Sequence, residues 1–595
     1  MNYQRINIIT GWLVFLVAVI TYVLTLEPTM SFWDCGEFIA TAYKLEVGHP
    51  PGAPLFMLLA RLFVIPVSNV EMVPFWVNMV SALSSAFTIL FLFWSITHLA
   101  KKLSAQDGVM TTGRLLAVMG SGVVGALAYT WSDTFWFSAV EGEVYAMSSL
   151  FTAIVFWAIL KWESNVEAAE SKGLNSNENR WLVFIAYMMG LSIGVHLLNL
   201  LAIPAICFVY YFKKFKITRK GIIFTAAISL FLLGLMQVGI ISGVVQMAGW
   251  FELVFVNKLG MSFNSGTIVY IALVLGLIIF GLFWSRRKNK PVLNTFILSI
   301  AFALVGYSTF SMIPIRSAAD PPINENKPNN LFAILAYLNR EQYGDRPLIY
   351  GPYWNTPTTD EPFEDGPPSY VKSYSVYTTK GTKPRRVLSC RDKFEAEEYV
   401  KEHADKNYKI VSEYLDSGEK KGSKPVYDER YCTLFPRMYS SVGNHIREYK
   451  SWSDYQGYNN PNKRAALARK EKMYNTASQK ARQFNYYLSQ DLEPRVREMV
   501  VDSVRYYLTQ EKNLNKQLIP TFVEDKRFFF RYQVGWMYLR YFMWNFAGRQ
   551  NDIQGHGDFR EGNWISGINS IDQQRLGNLE KLPESQLNNK AFNKY

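Results

Sequence analysis

Long stretches without charged residues dominate the first half of the chain and predict helices that span a membrane. Eight stretches are long enough to cross ~30 Å of hydrocarbon: residues 6–26, 73–100, 115–132, 134–160, 181–212, 221–251, 266–285 and 291–315. The stretch 134–160 contains two glutamates, and the other seven contain no charged residue. The stretch 181–212 is long for one helix, and Gly194 and Pro204 interrupt it. We therefore interpret it as two short spans, which makes nine in total.

The distribution of basic residues supports this count. Lys and Arg accumulate in the cytoplasmic loops of membrane proteins, and with nine spans sixteen of them fall on that side and three on the other. The apolar segment 53–70 carries Arg61 and Pro66, so we interpret it as an interfacial segment. If it crossed the membrane, or if 181–212 crossed only once, the later basic clusters would face outward. The odd number of spans places residues 316–595 outside the cytoplasm.

Composition divides the chain at the same point. Residues 1–314 contain 19 basic and 14 acidic residues, whereas residues 315–595 contain 43 and 35. The predicted fold is an all-α membrane domain at 1–315, with a first outer loop at 27–72, followed by a mixed α/β extracytoplasmic region at 316–595. This pattern excludes a disordered chain, a collagen-like chain and a wholly cytosolic enzyme. The net charge of +13 does not indicate nucleic acid as a partner. The part of this charge that the membrane domain contributes is explained by the basic residues of its cytoplasmic loops.

The outer region is predicted to be mixed. Residues 317–370 are rich in Pro, Asn, Gly and Tyr and predict loops and short strands, whereas 393–417 and 463–515 have helical spacing. The aromatic segment 528–548 predicts either a buried helix or one that lies at the membrane surface.

Two further features bear on the compartment. Cys390 and Cys432 share the outer region, where oxidising conditions would allow a disulfide; two free thiols are the alternative. None of the 23 Asn residues from position 316 onward begins an N-x-S/T sequon, which favours a bacterial periplasm over an ER lumen.

Carboxylates at a membrane edge are candidates for function, because charge is costly there. Asp34 and Glu37 lie three residues apart in the first outer loop, so a helix would place both on one face. The alternatives are a capping box between Ser31 and Asp34 and a solvated Glu37. Glu141 and Glu143 lie near the outer end of the fourth span, and on a helix at most one of them would face the same site.

Three cationic or imidazole groups accompany these carboxylates. His49 precedes Pro-Pro-Gly in a rigid turn, and His196 lies at the outer turn between two short spans; each is either a ligand donor or a structural residue. Arg316 follows the last span at headgroup depth, where a guanidinium suits a phosphate or simply anchors the helix. The sequence contains no Walker loop, no HExxH motif and no Cys/His cluster with metal-ligand spacing. These residues suit a reaction on a lipid-linked phosphate, in which a carboxylate base activates a hydroxyl.

Several motifs resemble a known family. D-C-G-E-F-I-A-T-A (34–42) and V-G-H-P-P-G-A-P-L (47–55) are similar to the signature of a multi-spanning Bacteroidetes family of GT-C-type glycosyltransferases. That family is related to the eukaryotic ER O-mannosyltransferase that acts on plexin-type IPT domains. The blocks S-A-V-E-G-E-V-Y (138–145), G-V-H-L-L-N-L (194–200) and R-Y-F-M-W-N-F-A-G-R-Q-N-D (540–552) extend the resemblance.

The resemblance implies an integral-membrane glycosyltransferase of a bacterial inner membrane whose active site faces the periplasm. It would move a sugar, with mannose expected, from a polyprenyl-phosphate donor to Ser or Thr of exported proteins, with no cofactor and no required metal. Asp34 and Glu37 are then the predicted catalytic residues, and the predicted donor-binding residues are His49, Glu143, His196 and Arg316. Relatives continue into further spans and a soluble domain, so truncation at the C-terminus is one interpretation of the polar end at 588–595.

Two other classes compete with an enzyme. A lipid-linked-sugar flippase would carry charges deep in several spans and would consist of matched inverted halves, but the carboxylates here gather at one face. An assembly factor without catalysis would use the membrane domain as an anchor only. Nine spans and acidic residues in the first loop exceed what an anchor needs.

Reporter fusions test the nine-span topology. Fusions at Lys216 and Lys288 are expected to report the cytoplasm and a fusion at Gly418 the outside, because the basic clusters hold their loops inside. Alkaline phosphatase and green fluorescent protein activities measure the two sides. A cytoplasmic signal at Gly418 would contradict the orientation, and with it a site on the outer face.

Overall fold

The structure is a computed structural model. It describes residues 2–104, 109–172, 179–344, 346–364, 369–378, 384–403, 407–416, 424–455, 461–469, 472, 498–499, 502, 506, 509, 513–516, 518–551, 553–578 and 581. The predicted helical segment 463–515 lies for the most part outside these residues, as does the polar end at 588–595.

The described chain is mainly helical. Its α-helices are Tyr3–Leu24, Cys35–Lys44, Pro54–Val64, Val73–Ser104, Thr112–Thr130, Asp133–Ala139, Val144–Lys172, Asn179–Ile193, Ala202–Lys214, Arg219–Gly234, Val244–Leu253, Ser265–Arg287, Pro291–Tyr307, Met312–Ala318, Leu331–Leu338, Lys393–Glu402, Gly443–Ser453, Phe522–Phe528, Tyr541–Phe546 and Asn569–Leu576. Short 3₁₀ segments occur at Val70–Met72, Leu197–Leu201, Ser308–Ser311, Glu341–Tyr343 and Glu429–Tyr431. Helical segments of the π type occur at Leu235–Gly243, Val254–Lys258 and Phe529–Arg540.

Eight helical stretches in the described part of the chain are long and apolar enough to cross a membrane: Tyr3–Leu24, Val70–Ser104, Thr112–Thr130, Val144–Ser171, Leu197–Lys214, Arg219–Lys258, Ser265–Arg287 and Pro291–Ala318. The predicted membrane all-α fold is thereby confirmed, and the chain is a multi-pass membrane protein. The ninth predicted span is the 15-residue helix Asn179–Ile193. With a length of ~22 Å, it is too short to be identified as a membrane span by length alone.

This short helix nevertheless runs between the same two ends as the long ones. Near its start, the indole of Trp181 meets that of Trp157 edge-on, with ring centroids 5.6 Å apart. Just beyond its end, the carbonyl of Gly194 accepts a hydrogen bond of 2.8 Å from the backbone N–H of Leu55. The helix therefore passes from the end that contains the basic loops to the end that contains the first outer loop.

Oppositely charged side chains join the helices at one end, which we call the basic end. Lys102 contacts Glu163 at 2.6 Å and Glu167 at 3.1 Å, and Lys213 contacts Glu167 at 3.6 Å and Glu170 at 3.2 Å. Three loops that the sequence assigns to the cytoplasm therefore meet at one place. Which compartment the basic end faces stays a prediction.

The predicted span 134–160 is interrupted. Helices Asp133–Ala139 and Val144–Lys172 are separated by residues 140–143, which are not helical. The interruption packs on the first outer loop, since Glu27 donates from its backbone N–H to the carbonyl of Val140 at 3.1 Å. Glu141 and Glu143 therefore do not lie on a helix, so the helix-face argument does not apply to them, and which of the two enters the site stays a prediction.

The chain forms two compact units by contact. The first contains residues 1–343 and 368–419, and the second contains residues 344–367 and 420–595. Residues 316–343 therefore belong to the same compact unit as the spans. The end of the membrane domain at residue 315 stays a prediction from composition.

The first unit carries a small antiparallel sheet of β3 (Tyr370–Thr378), β4 (Arg385–Cys390) and β5 (Tyr408–Asp416), in the order β4-β3-β5. The predicted helical segment 393–417 is thus helical only at Lys393–Glu402 and ends in β5. The sheet is attached to the 40-residue helical stretch Arg219–Lys258. At ~60 Å this stretch is about twice the thickness of the hydrocarbon layer.

Glu252 makes that attachment. Its fully buried carboxylate accepts hydrogen bonds from the backbone N–H of Thr267 at 3.0 Å and from the phenol of Tyr414 at 3.2 Å. A buried carboxylate is tolerated when such donors satisfy it. The helix end and strand β5 are therefore joined through one side chain.

The second unit contains two-stranded antiparallel pairs. Strand β1 (Tyr350–Pro352) pairs with β7 (Cys432–Leu434), and β2 (Thr358–Glu364) pairs with β6 (Lys424–Tyr427). Together with the first unit's sheet and the outer helices, they confirm the predicted mixed α/β character. The chain also forms the helix Leu331–Leu338, which the prediction of loops and short strands at 317–370 missed.

The structure shows how the aromatic segment 528–548 is buried and whether the two outer cysteines pair. Residues 522–546 are helical, but the segment 528–548 is not simply buried, since Phe530 is 62% exposed and Arg540 only 4%. Cys390 and Cys432 are both free thiols.

Substitution of Gly190 tests the packing of the short helix. A Cβ atom at Gly190 would overlap the carbonyl oxygen of Ala303, and one at Gly306 would lie 2.5 Å from the backbone nitrogen of Leu191. Small residues at such positions allow membrane helices to approach closely. We expect Gly190→Ala to destabilise the protein by about 1–3 kcal/mol, measured as a lower melting temperature in detergent.

Gly276→Ala is the matched control, because no atom lies within 4 Å of a Cβ built at Gly276. An unchanged melting temperature for both variants would show that the two helices do not pack in this way.

Candidate active site

Asp34 stands immediately before the helix Cys35–Lys44 and leaves its side chain free of capping contacts. It occupies the N-cap position, yet its carboxylate makes no capping hydrogen bond, and the side chain is 58% exposed. The capping box that the sequence offered as an alternative therefore does not form.

Glu37, one turn along the same helix, binds His49. Its carboxylate accepts a hydrogen bond of 2.5 Å from the backbone N–H of His49 and lies 3.1 Å from the ring Nδ1. Burial by itself would raise the pKa of Glu37, but the hydrogen bonds from His49 outweigh burial and lower the pKa. The hydrogen bond to Glu37 likewise raises the pKa of His49.

The turn at residues 48–52 can approach Glu37 only because it contains glycine. A Cβ at Gly48 would overlap the carboxylate of Glu37, and Gly52 has a φ of +80° with no room for a Cβ beside the phenol of Tyr337. The buried Tyr337 donates to the carbonyl of Gly48 at 2.6 Å. Glycine and a buried hydroxyl thus hold His49 in place.

The ring of His49 joins the two acids of the first loop. Its Nδ1 donates to Glu37, and its Nε2 lies 3.8 Å from Oδ2 of Asp34. Because Glu37 orients the ring, Nε2 points to the exposed carboxylate of Asp34. This arrangement, in which one acid orients an imidazole beside a second acid, is suited to proton transfer.

Glu141 and Glu143 add two buried carboxyl groups from the interruption at 140–143. Both side chains are 6% exposed. Burial raises the pKa of Glu141, which accepts a hydrogen bond from Cys35 at 3.6 Å. Burial, reinforced by the negative charge of Asp34, raises the pKa of Glu143 to about 7. Glu143 can therefore exchange a proton near neutral pH.

His196 lies at the edge of this cluster. Its ring is 5.4 Å from that of Tyr145, two residues after Glu143. Burial lowers the pKa of His196, and the positive charge of Arg340 lowers it further. Nδ1 of His196 accepts a hydrogen bond from the backbone N–H of Leu198 at 3.1 Å, so the ring also has a structural role.

Arg316 is placed away from Asp34. Its guanidinium donates to the carbonyl of Leu45 at 2.6 Å and to that of Lys44 at 3.2 Å. These carbonyls end the helix that Asp34 begins, about 15 Å along its axis. The structure thus brings Asp34, Glu37, His49 and Glu143 together, with His196 at the edge, and does not bring Arg316 to them.

Three supporting residues come from beyond the last span, and no sequence motif marks them. The carbonyl of Ile323 accepts a hydrogen bond of 3.0 Å from the backbone N–H of Val47, Tyr337 holds the turn, and the positive charge of the exposed Arg340 acts on His196. Ile323 and Tyr337 lie about 280 residues after the loop that they support, and Arg340 lies about 140 residues after His196. No local pattern signals such contacts. Among the described residues, no group of three or more His, Cys, Asp or Glu is arranged to hold a metal ion.

Comparisons with known proteins agree with the motifs in the first loop. Residues 34–219 match the family model for the N-terminal domain of the protein O-mannosyl-transferase TMEM260. The protein O-mannosyl-transferase tmem260 of Dictyostelium discoideum is 27% identical over 196 residues, which cover 31% of this chain and 21% of that protein. The TMEM260 protein of Mus musculus is 28% identical over 149 residues, which cover 25% and 19%. No solved structure matches the chain.

The matched region spans about a fifth of the length of these relatives. The region that matches the family model begins at Asp34 and contains every predicted site residue except Arg316. The resemblance inferred from the motifs is thereby confirmed: this chain is related, through residues 34–219, to the eukaryotic protein O-mannosyl-transferase TMEM260.

Proposed function

We propose that this protein is a membrane glycosyltransferase that transfers mannose from a polyprenyl-phosphate donor to Ser or Thr of exported proteins. The observation that carries the proposal is the cluster of Asp34, His49, Glu37 and Glu143, which lies inside the region related to protein O-mannosyl-transferases. Its place beside the ends of apolar helices suits a donor whose tail stays in the membrane.

In the proposed reaction, the acceptor hydroxyl oxygen forms a bond to the anomeric carbon of mannose. The bond between that carbon and the phosphate oxygen breaks, and its electron pair leaves with polyprenyl phosphate. Asp34 takes the hydroxyl proton, because its carboxylate is exposed and free of capping bonds. A general base of this kind accelerates a reaction by about 10²–10⁴-fold.

Glu37 and His49 support the base. Glu37 holds Nδ1 of His49, so that Nε2 faces Asp34. Because its pKa is raised, His49 stays protonated to higher pH, and its positive charge holds the Asp34 carboxylate in position. Glu37 is therefore a positioning residue that acts through His49.

Glu143 is proposed to bind a hydroxyl of the donor sugar. With a pKa of about 7, its carboxyl group is partly protonated at neutral pH and can either donate or accept a hydrogen bond. Glu141 has its carboxylate directed to Cys35 instead, which leaves Glu143 as the buried acid whose pKa is raised by the charge of Asp34.

Arg340 is proposed to bind the phosphate of the donor. It is exposed, its guanidinium lies 5.4 Å from the ring centroid of Tyr343, and no carboxylate binds it among the described residues. Its positive charge lowers the pKa of His196, which lies at the edge of the cluster. A guanidinium can bind phosphate through two parallel hydrogen bonds. Arg316, the candidate from sequence, instead donates to two helix-end carbonyls.

Asp34→Asn tests the base. The change keeps size and polarity but removes basicity, so mannose transfer in membranes should fall by about 10²–10⁴-fold at normal protein abundance. Transfer is measured with polyprenyl-phosphate mannose labelled in the sugar, together with intact-mass analysis of exported proteins from cells with the wild-type or variant gene.

Glu71→Gln is the control, since Glu71 is an exposed carboxylate outside the cluster. If the Asp34→Asn variant transferred mannose at the wild-type rate, Asp34 would not be the base. If exported proteins had the same masses with and without the gene, the proposed function itself would be contradicted.

Arg340→Gln and Arg316→Lys separate the two candidates for the donor phosphate. Loss of one charge-assisted phosphate contact, worth about 1.5–3 kcal/mol, predicts a rise of about 10–100-fold in the KM for polyprenyl-phosphate mannose with Arg340→Gln. Arg316→Lys should lower the melting temperature, because it disturbs the helix end, and should leave this KM close to the wild-type value. The reverse pattern would assign the phosphate to Arg316.

A further inference from the structure

A second group of polar residues surrounds a cavity at the basic end of the first unit, remote from the candidate active site. Its volume is about 920 Å³, and residues of the helices Tyr3–Leu24, Val73–Ser104 and Val144–Lys172 line it. A volume of this size is typical of sites for small molecules. The proposed glycosyl transfer makes no use of this cavity.

The cavity has a surplus of positive charge. Lys101, Lys102 and Lys161 line it, with Glu167 as the acidic residue. Lys102 is bound by Glu163 and Glu167, but the other two lysines have no carboxylate partner among the described residues. Instead, Lys101 lies 4.5 Å from the ring centroid of Tyr3, and Lys161 lies 5.4 Å from that of Trp157.

Aromatic rings orient these two ammonium groups without neutralising them. A cation–π contact uses one side of the group, and an ammonium has three donors in all. Lys101 and Lys161 therefore each retain donors for an anion. Because they come from different helices, an anion between them would be held by two elements at once.

Two buried polar atoms at the same cavity also lack partners. Oδ1 of Asn7 and Nε2 of His98 have no hydrogen-bond partner in the described part of the chain, and both residues line the cavity. Buried polar atoms are normally satisfied. Together with the lysines, they indicate a site for a polar ligand that offers both hydrogen-bond donors and acceptors.

An apolar surface adjoins this polar site. Ile8 lines the cavity and is 51% exposed. Trp12, which is 45% exposed, meets the cavity residue Trp94 edge-on, with centroids 6.4 Å apart. Both residues belong to a helix that is long and apolar enough to span the membrane, so this surface suits the chains of a lipid.

We propose that the cavity binds the phosphate headgroup of an anionic membrane lipid. Lys101 and Lys161 contact the phosphate, Asn7 and His98 contact the remaining polar atoms of the headgroup, and the lipid chains lie along Ile8 and Trp12. Basic pockets between helices on the cytoplasmic side of membrane proteins bind anionic lipids in this way. The site is independent of the proposed transferase activity.

Native mass spectrometry of the full chain in detergent tests the proposal, with phosphatidylglycerol as probe and phosphatidylcholine as the zwitterionic comparison. The double substitution Lys101→Gln and Lys161→Gln should weaken phosphatidylglycerol binding about 25-fold, since each lysine near a lipid surface contributes about 5-fold. Both lysines are exposed, so melting temperatures should be unchanged. If the double variant does not fold, the single variants should each lose about 5-fold.

The matched control is Lys288→Gln with Lys290→Gln. It removes two lysines from another basic loop, and Lys290 also lies over a tryptophan, 5.0 Å from the ring centroid of Trp284. The control should bind phosphatidylglycerol like the wild type. Equal binding by all three proteins, or equal binding of the two lipids, would overturn the proposal. Displacement of the lipid by excess inorganic phosphate would assign the site to free phosphate rather than to a lipid.

Discussion

The contact between Glu37 and His49 is the interaction on which the candidate active site depends. One carboxylate accepts from both the backbone and the ring of the same residue. Hydrogen bonds to charged groups contribute about 1.5–3 kcal/mol each, enough to hold a turn that contains two glycines. Because the ring is held at Nδ1, its other nitrogen faces Asp34. The first loop thereby presents an exposed carboxylate with a fixed partner.

The rest of the first unit supports this contact from both sides. On one side, the interruption at 140–143 carries Glu143 towards Asp34 and packs on the start of the loop. On the other side, Tyr337 and Ile323 hold the turn and the strand-like residues that follow the loop helix. The segment that contributes Tyr337 follows the last span, so the site is complete only when the ends of the membrane domain have come together.

The two ends of the helices differ in chemistry. At the end with the first loop, carboxyl groups are buried and their pKa values are shifted, as is common where proton transfer occurs. At the basic end, carboxylates and lysines pair across helices, and two lysines remain over aromatic rings beside a cavity. The helices thus separate a site suited to chemistry from one suited to an anionic ligand.

The sequence by itself determined the membrane fold and the identity of the first loop, whereas the tertiary structure decided how the site is completed. Spans can be predicted because transfer into hydrocarbon is a local property of each stretch, and Asp34, Glu37 and His49 share one short motif. The positions of Glu143 and Arg316 could not be predicted in this way. Residues 140–143 leave the helix because they pack on a loop about 110 residues earlier, and Arg316 binds carbonyls about 270 residues earlier. Such contacts exist only in the folded chain, so no periodicity within either segment encodes them.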